Sequence, residues 1–274
     1  MTIDANEGAA ASPSFEYIPE PAKRSAIANI FVGPNGIRAG WRLLSFLIFF
    51  VAIAQGFGFV FHHIPAVNTW HRSLPRNEMT PLGMVFDEGF TFLALIIAAF
   101  LMSLIEKRTF ADYYLPPNQA FAKRYWQGIP YGLAMLSLLM VTIAVFHGFS
   151  IEGFAILGGV AVKYGLLYGI GFTLVGLFEE FSFRGYMQYT LGSGLGFWPA
   201  VIILSIAFGA IHLGNKGEAW FGALMAGSFG LLAAFALVVL AIFGFQLECM
   251  PGGIGARRTC IPCRIADSWR AGIC

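Results

Sequence analysis

Six stretches of this chain, roughly residues 42–61, 83–105, 128–147, 162–186, 197–213 and 219–245, are apolar over about the 20 residues a helix needs to cross a bilayer. Hydrocarbon offers the backbone no hydrogen-bond partners, so a spanning segment must satisfy its own peptide groups, as a helix or within a closed barrel. These stretches are predominantly apolar and far longer than an ordinary strand, which selects helices. The expected fold is therefore all-α, a polytopic integral membrane helical bundle with about six spans. Charge supports this. Only 12% of the residues are Asp, Glu, Lys or Arg and the mean hydropathy is +0.70, where a soluble domain carries about 25% charged residues.

The lipid bilayer is thus the first partner. Nucleic acid is excluded as another, because the formal net charge is only +2 and no basic run is interleaved with aromatic residues. Residues 1–30 are rich in Ala, Ser, Pro and acids and read as a polar, disordered N-terminal tail. The first apolar core begins near Leu43, too far in for a cleavable signal. Residues 31–125 read as N-terminal membrane helices with a cytoplasmic loop, 126–237 as a second block of membrane helices, and 238–274 as a tail of different character. The Gly-rich segment 148–160 reads as a short re-entrant or peripheral piece.

Loop charges set the expected orientation. Lys23, Arg24, Arg38 and Arg42 precede or open the first span; Arg72 and Arg76 follow it; Lys107, Arg108, Lys123 and Arg124 follow the second. That bias puts the N-terminus in the cytoplasm. His62, His63 and His71 fall in the polar loop after the first span and read as solvated residues rather than metal ligands. Asp87 and Glu88 read as an interfacial pair at the head of the second span, and His147 as an interfacial residue closing the third.

The costly residues lie deeper. Glu179, Glu180 and Arg184 sit within one apolar run, and His212 ends the next; ionisable groups kept in hydrocarbon mark function by default and need internal partners. On a helix Glu180 and Arg184 are one turn apart and can pair. Glu179 points about 100° away from Glu180, since a helix has 3.6 residues per turn. That division leaves Glu179 free to face a cavity as a general base toward water, with His212 opposite it to hold a metal or polarise the water directly. A buried ion-pair cluster that only fixes helix packing is the competing reading. Gly185, Gly192, Gly194 and Gly196 offer close helix approach or a turn.

Glu179-Glu180-x-x-x-Arg184 followed by Phe208-x-x-x-His212 resembles the first two motifs of the CPBP family, which includes CAAX prenyl endopeptidases and bacteriocin-processing or self-immunity proteins. The run Glu106-Lys107-Arg108-Thr109-Phe110-Ala111-Asp112-Tyr113-Tyr114-Leu115-Pro116 is similar to the segment that precedes the core in bacterial members, as are Phe183-Arg184-Gly185-Tyr186 and His212-Leu213-Gly214-Asn215. The likeness covers about 30–235, and it implies that 126–237 is a CPBP-like catalytic core, incomplete here, in a bacterial inner membrane. It implies an intramembrane endopeptidase with Glu179 as the water-activating base, Glu180 as a paired acid, Arg184 as its charge partner and His212 as an active-site histidine. The substrate it implies is a peptide or membrane protein. The cofactor is either zinc or another divalent metal on Glu179 and His212, or none.

The family's later motif, His-x-x-x-Asn or His-x-x-x-Asp, is missing, for no histidine follows His212. From about Val238 the chain instead gathers Cys249, Cys260, Cys263 and Cys274 with late arginines. The first two bases of each codon become the second and third in a neighbouring frame. Read so, Cys249 to Gly255 permits Met-His-Ala-Gly-Trp-Asp-Trp, which contains the missing His-x-x-x-Asp. We therefore expect a frameshift near Ala236–Val238, no designed role for the Cys260/Cys263 pair, and an inactive or impaired chain. Two other functions stay open from the residues alone: a non-catalytic membrane immunity or scaffold protein, and a transporter, since intramembrane acids also line ion paths.

Overall fold

A computed structural model describes residue 25 and residues 30–33, 36–75, 78–113, 123–150, 153, 155–215 and 219–248. Most of the N-terminal tail lies outside the described residues, as do Arg76, Cys249, Cys260, Cys263 and Cys274 and the part of the proposed out-of-frame tail beyond Glu248. After a two-residue hairpin, β1 (Val32–Gly33) on β2 (Gly36–Ile37), the described chain is helical: α1 (Ala39–His63), α2 (Pro65–Ser73), α3 (Pro81–Glu106), a 3₁₀ turn (Phe110–Tyr113), α4 (Lys123–Val145), α5 (Gly158–Glu179), a π-helical stretch (Glu180–Met187), α6 (Gln188–Leu195), α7 (Phe197–His212) and α8 (Trp220–Glu248). Every expected span falls on a helix. Helices α1, α3, α4 and the continuous run 158–195 are long and apolar enough to cross a bilayer, and α7 is a shorter apolar helix of 16 residues.

The chain punctuates these helices where its chemistry allows. Proline stands at the first position of α2 and α3, where its missing N–H costs nothing. Helix α3 stops at Lys107 in the left-handed region, with the Arg108 amide on the Ser103 carbonyl at 2.9 Å. Gly196, at φ +87°, turns α6 into α7, a conformation that glycine adopts without penalty. One segment departs from expectation: the polar loop after the first span is largely helix. His62 and His63 close α1, and His71 sits on α2.

Helices α1 and α3 run antiparallel, and α3 and α5 run parallel. Phe61 meets Phe86 and Phe90 at one end of the α1–α3 pair and Arg42 meets Glu106 at the other. Met84 of α3 abuts Gly171 of α5, and Tyr186, beyond α5, reaches Glu106. The core between them holds Phe46, Leu95, Ala98, Ala99, Met102 and Tyr186, with the Phe46 and Tyr186 rings stacked at 4.1 Å. Lipid gives helices no hydrophobic reason to associate, so close backbone approach carries much of the packing. At the α7–α8 contact a Cβ on Gly209 would lie 2.5 Å from the Ala223 carbonyl oxygen and 3.3 Å from the Gly227 Cα. Both obstacles are backbone, so Gly209→Val is expected to force the helices apart and cost about 3 kcal/mol, the upper part of the overpacking range. Thermal unfolding in detergent measures it.

A buried polar knot closes the bundle at the other end of α1. Glu106 forms an ion pair with Arg42 and accepts a hydrogen bond from the Tyr186 hydroxyl at 2.6 Å. Arg42 also donates to Ser193 Oγ at 3.0 Å, and Arg108 Nε stands 3.7 Å from Glu106. Arg42 and Arg108 flank the Tyr189 ring. Tyr113 packs edge-on against Tyr186 and is fully buried, and that burial pushes its phenol well above its ordinary pKa. The Glu106 side chain is only 5% exposed. Removing one member of such a pair leaves the other uncompensated, so Glu106→Ala is expected to cost about 3–5 kcal/mol; Tyr186→Phe, which deletes one hydrogen bond to a charged acceptor, costs about 1.5–3 kcal/mol. Comparative denaturation of the two variants checks the order.

Candidate active site

Glu179 is the last residue of α5 and Glu180 the first of the π-helical stretch, so the two acids mark the point where the helix changes its winding. Widened turns of this kind are rare and recur at functional sites, where they re-aim side chains. The regular helix assumed from sequence is therefore corrected for Glu180–Met187. The expected pairing holds nonetheless, with Arg184 Nη1 3.4 Å from Glu180 Oε1.

Arg184 is the buried member of that pair, its side chain 6% exposed against 49% for Glu180. Its guanidinium lies 4.6 Å from the centre of the Phe208 ring and 5.8 Å from that of Phe229. Neither terminal nitrogen has a hydrogen-bond acceptor among the described residues. Aromatic faces attract a cation, but they leave its N–H groups unsatisfied. Arg184 thus joins the π-helical stretch to α7 and α8 and still has donors to give.

His212 ends α7. Its Nδ1 is 2.7 Å from the Phe208 carbonyl, one turn back, and its ring packs against Phe208 at 4.6 Å. A carbonyl can only accept, so this contact places the proton on Nδ1 and leaves the Nε2 lone pair outward, the tautomer that can hold a metal or receive a proton. Glu179 is half-buried, and His212 and Arg184 are the charged groups within electrostatic reach of it. The structure therefore brings all four sequence-predicted residues to one region where α5, the π-helical stretch and α7 meet.

Among the described residues no three His, Cys, Asp or Glu side chains converge to hold a metal ion. Glu179 and His212 supply two donors, where a catalytic zinc takes three protein ligands and keeps one open position. The described residues alone do not make that site. The histidines near the first span remain apart from it: His71 pairs with Asp87 at 3.1 Å, and His63 bonds the Phe59 carbonyl.

Glu88 departs from its interfacial reading. Asp87 is exposed, but Glu88 is half-buried on α3, and Glu179 lies within electrostatic reach of it. Only its place in the acidic dipeptide at the head of α3 pointed to it in the sequence. The Arg42–Glu106–Tyr186 knot was equally hidden, since 64 residues separate the ion-paired partners.

The fold defines an integral membrane bundle of α-helices with a charged constellation in its interior. Residues 161–242 match the family model described as type II CAAX prenyl endopeptidase Rce1-like. That match contains both Glu179–Arg184 and Phe208–His212, and it bears out the resemblance to the CPBP family. At the level of the family, residues 161–242 are similar to a CAAX-type intramembrane protease. No curated protein and no solved structure matches the chain.

Proposed function

We propose that this chain carries the larger part of an intramembrane endopeptidase site, in which Glu179 and His212 activate water against a peptide bond. The observation that carries the reading is the His212 ring, its Nδ1 proton committed to the Phe208 carbonyl and its Nε2 free beside the field of Glu179. Glu179 takes a proton from water, the resulting hydroxide adds to the scissile carbonyl, and the same carboxyl returns the proton to the departing amine as the C–N bond breaks. This is general base followed by general acid catalysis on one residue. His212 orients the water through Nε2. Glu180 offsets the charge of Arg184, which holds the π-helical stretch against Phe208 of α7.

The substrate on this reading is a peptide or membrane-protein segment at the bilayer, and the N-terminus is cytoplasmic in a bacterial inner membrane. A divalent metal on Glu179 and His212 would need a further ligand, which the missing His-x-x-x-Asp motif is suited to supply. The match to the family ends at residue 242, close to the junction near Ala236–Val238 where the sequence changes character. On the frameshift reading this chain is therefore impaired and its in-frame parent active.

The second reading is a non-catalytic immunity or scaffold protein, favoured by how thoroughly Arg184 is packed between aromatic rings. Glu179→Gln in the in-frame parent separates the two. Loss of cleavage with retained folding supports the peptidase; unchanged biological activity supports the scaffold. A proton-coupled flux abolished by the same substitution would point to transport.

A further inference from the structure

Two carboxylates lie inside this bundle without a partner. Among the described residues no hydrogen bond or ion pair reaches the carboxylate of Glu88 or of Glu179; the Ser182 hydroxyl donates only to the Glu179 backbone carbonyl, at 3.2 Å. Hydrocarbon around an unsatisfied carboxylate is prohibitive, so both groups require water. A cleft of about 400 Å³, roomy enough to hold it, opens at the end of the bundle where α3 begins. Its walls come from α2, the segment that follows it, and the first two turns of α3, with His71, Glu78, Thr80, Met84, Asp87 and Glu88 among them.

Helix packing fixes where the cleft leads. Met84 touches the Gly171 position of α5, and Leu174 lies beside Gly89. Helices α3 and α5 run in the same direction, so Glu88 stands about 6 Å beyond the Met84–Gly171 contact and Glu179 about 12 Å beyond it, at 1.5 Å per residue. Glu88 lines the cleft, and Glu179 is the next carboxylate inward, roughly one helical turn deeper. Gly171 lets α5 approach Met84 closely; a Cβ there would fall 2.9 Å from the Met84 sulfur.

We propose that this cleft is the aqueous approach to Glu179, and that Glu88 is a positioning residue whose carboxylate keeps the inner end of the approach wet. The inference rests on Glu179 as the water-activating residue, because that role consumes one water per bond cleaved and demands a route for it. Glu88 touches neither the scissile bond nor the attacking water.

Thiol accessibility tests the proposal without any cleavage assay. With Cys249, Cys260, Cys263 and Cys274 replaced by serine and the chain in sealed proteoliposomes, Glu179→Cys is expected to react with a charged, membrane-impermeant methanethiosulfonate added on the side of α2. Leu95→Cys, buried in the core, is the unreactive reference. Adding Glu88→Leu should slow labelling of the thiol at position 179 at least tenfold, whereas Glu88→Gln, polar and nearly isosteric, should slow it less than threefold and so exclude misfolding as the cause. The proposal is overturned if the thiol at position 179 reacts no faster than the one at position 95, reacts only from the opposite face, or reacts equally fast with and without Glu88→Leu. A Glu179→Gln parent that still cleaves would refute the catalytic reading and leave these labelling results in place.

Discussion

Restoring the neighbouring reading frame from Val238 onward is expected to raise peptide-bond cleavage about 10³-fold over the chain as it stands. The alternative frame beneath Cys249 to Gly255 permits a His-x-x-x-Asp, and such a pair would add two polar groups to Glu179 and His212 of the proposed site. Deleting one preorganised donor from an oxyanion site costs about 10²–10³ in rate. Residues acting as a unit are strongly non-additive, so loss of both is set near the larger single value rather than the product. Arg184 is placed to register the change: among the described residues its terminal nitrogens have no hydrogen-bond acceptor, and Phe229 and Gly230, which lie against it, come from α8, the helix that leads into the segment beyond Val238. The nucleotide sequence is the first check, since stop codons or unrelated residues in that frame remove the basis of the expectation. Cleavage of a membrane-anchored reporter peptide by both forms is the second. Equal rates would mean that the residues beyond 237 contribute nothing.

Much of this was legible before any coordinates, for a reason particular to membranes. Lipid forces each long apolar run to be a helix, so the spans at 42–61 or 83–105 needed no tertiary information. The Glu180–Arg184 pair was equally local, one turn apart in a single helix. What escaped is what depends on distant partners. Arg42 reads as a loop charge that helps fix orientation, yet it is drawn inward because Glu106 and Ser193 meet it there. Glu88 reads as an interfacial acid beside Asp87; the packing of α3 on α5 distinguishes the two, leaving Asp87 exposed with His71 and Glu88 half-buried within electrostatic reach of Glu179. The π-helical winding escaped too, because no residue type in Glu180–Met187 forbids a regular helix. It is tertiary contact that buries Phe181 through Met187 without interruption.

In the frame-restored chain, Glu179→Gln is expected to lower kcat about 10³-fold while leaving KM and helical content near their starting values. Glutamine keeps the size and hydrogen-bonding reach of the side chain but has no basic oxygen to accept the proton of water. General acid–base catalysis contributes about 10²–10⁴ in rate, and a 10³-fold loss is about 4 kcal/mol of barrier. The neighbouring acid provides the contrast. Glu180 is half-exposed and paired with Arg184 at 3.4 Å, so Glu180→Gln weakens an ion pair without touching the water. Its effect belongs first in the thermal midpoint, and its loss of kcat should stay within about tenfold. A Brønsted argument adds a sign to the comparison: if Glu179 takes the proton, the acidic limb of the kcat/KM profile titrates this carboxyl and vanishes in Glu179→Gln, while in Glu180→Gln it is retained, displaced by whatever change follows in the field of Arg184. Reversal of the two phenotypes would assign the base to Glu180 and reduce Glu179 to the solvated neighbour of Glu88.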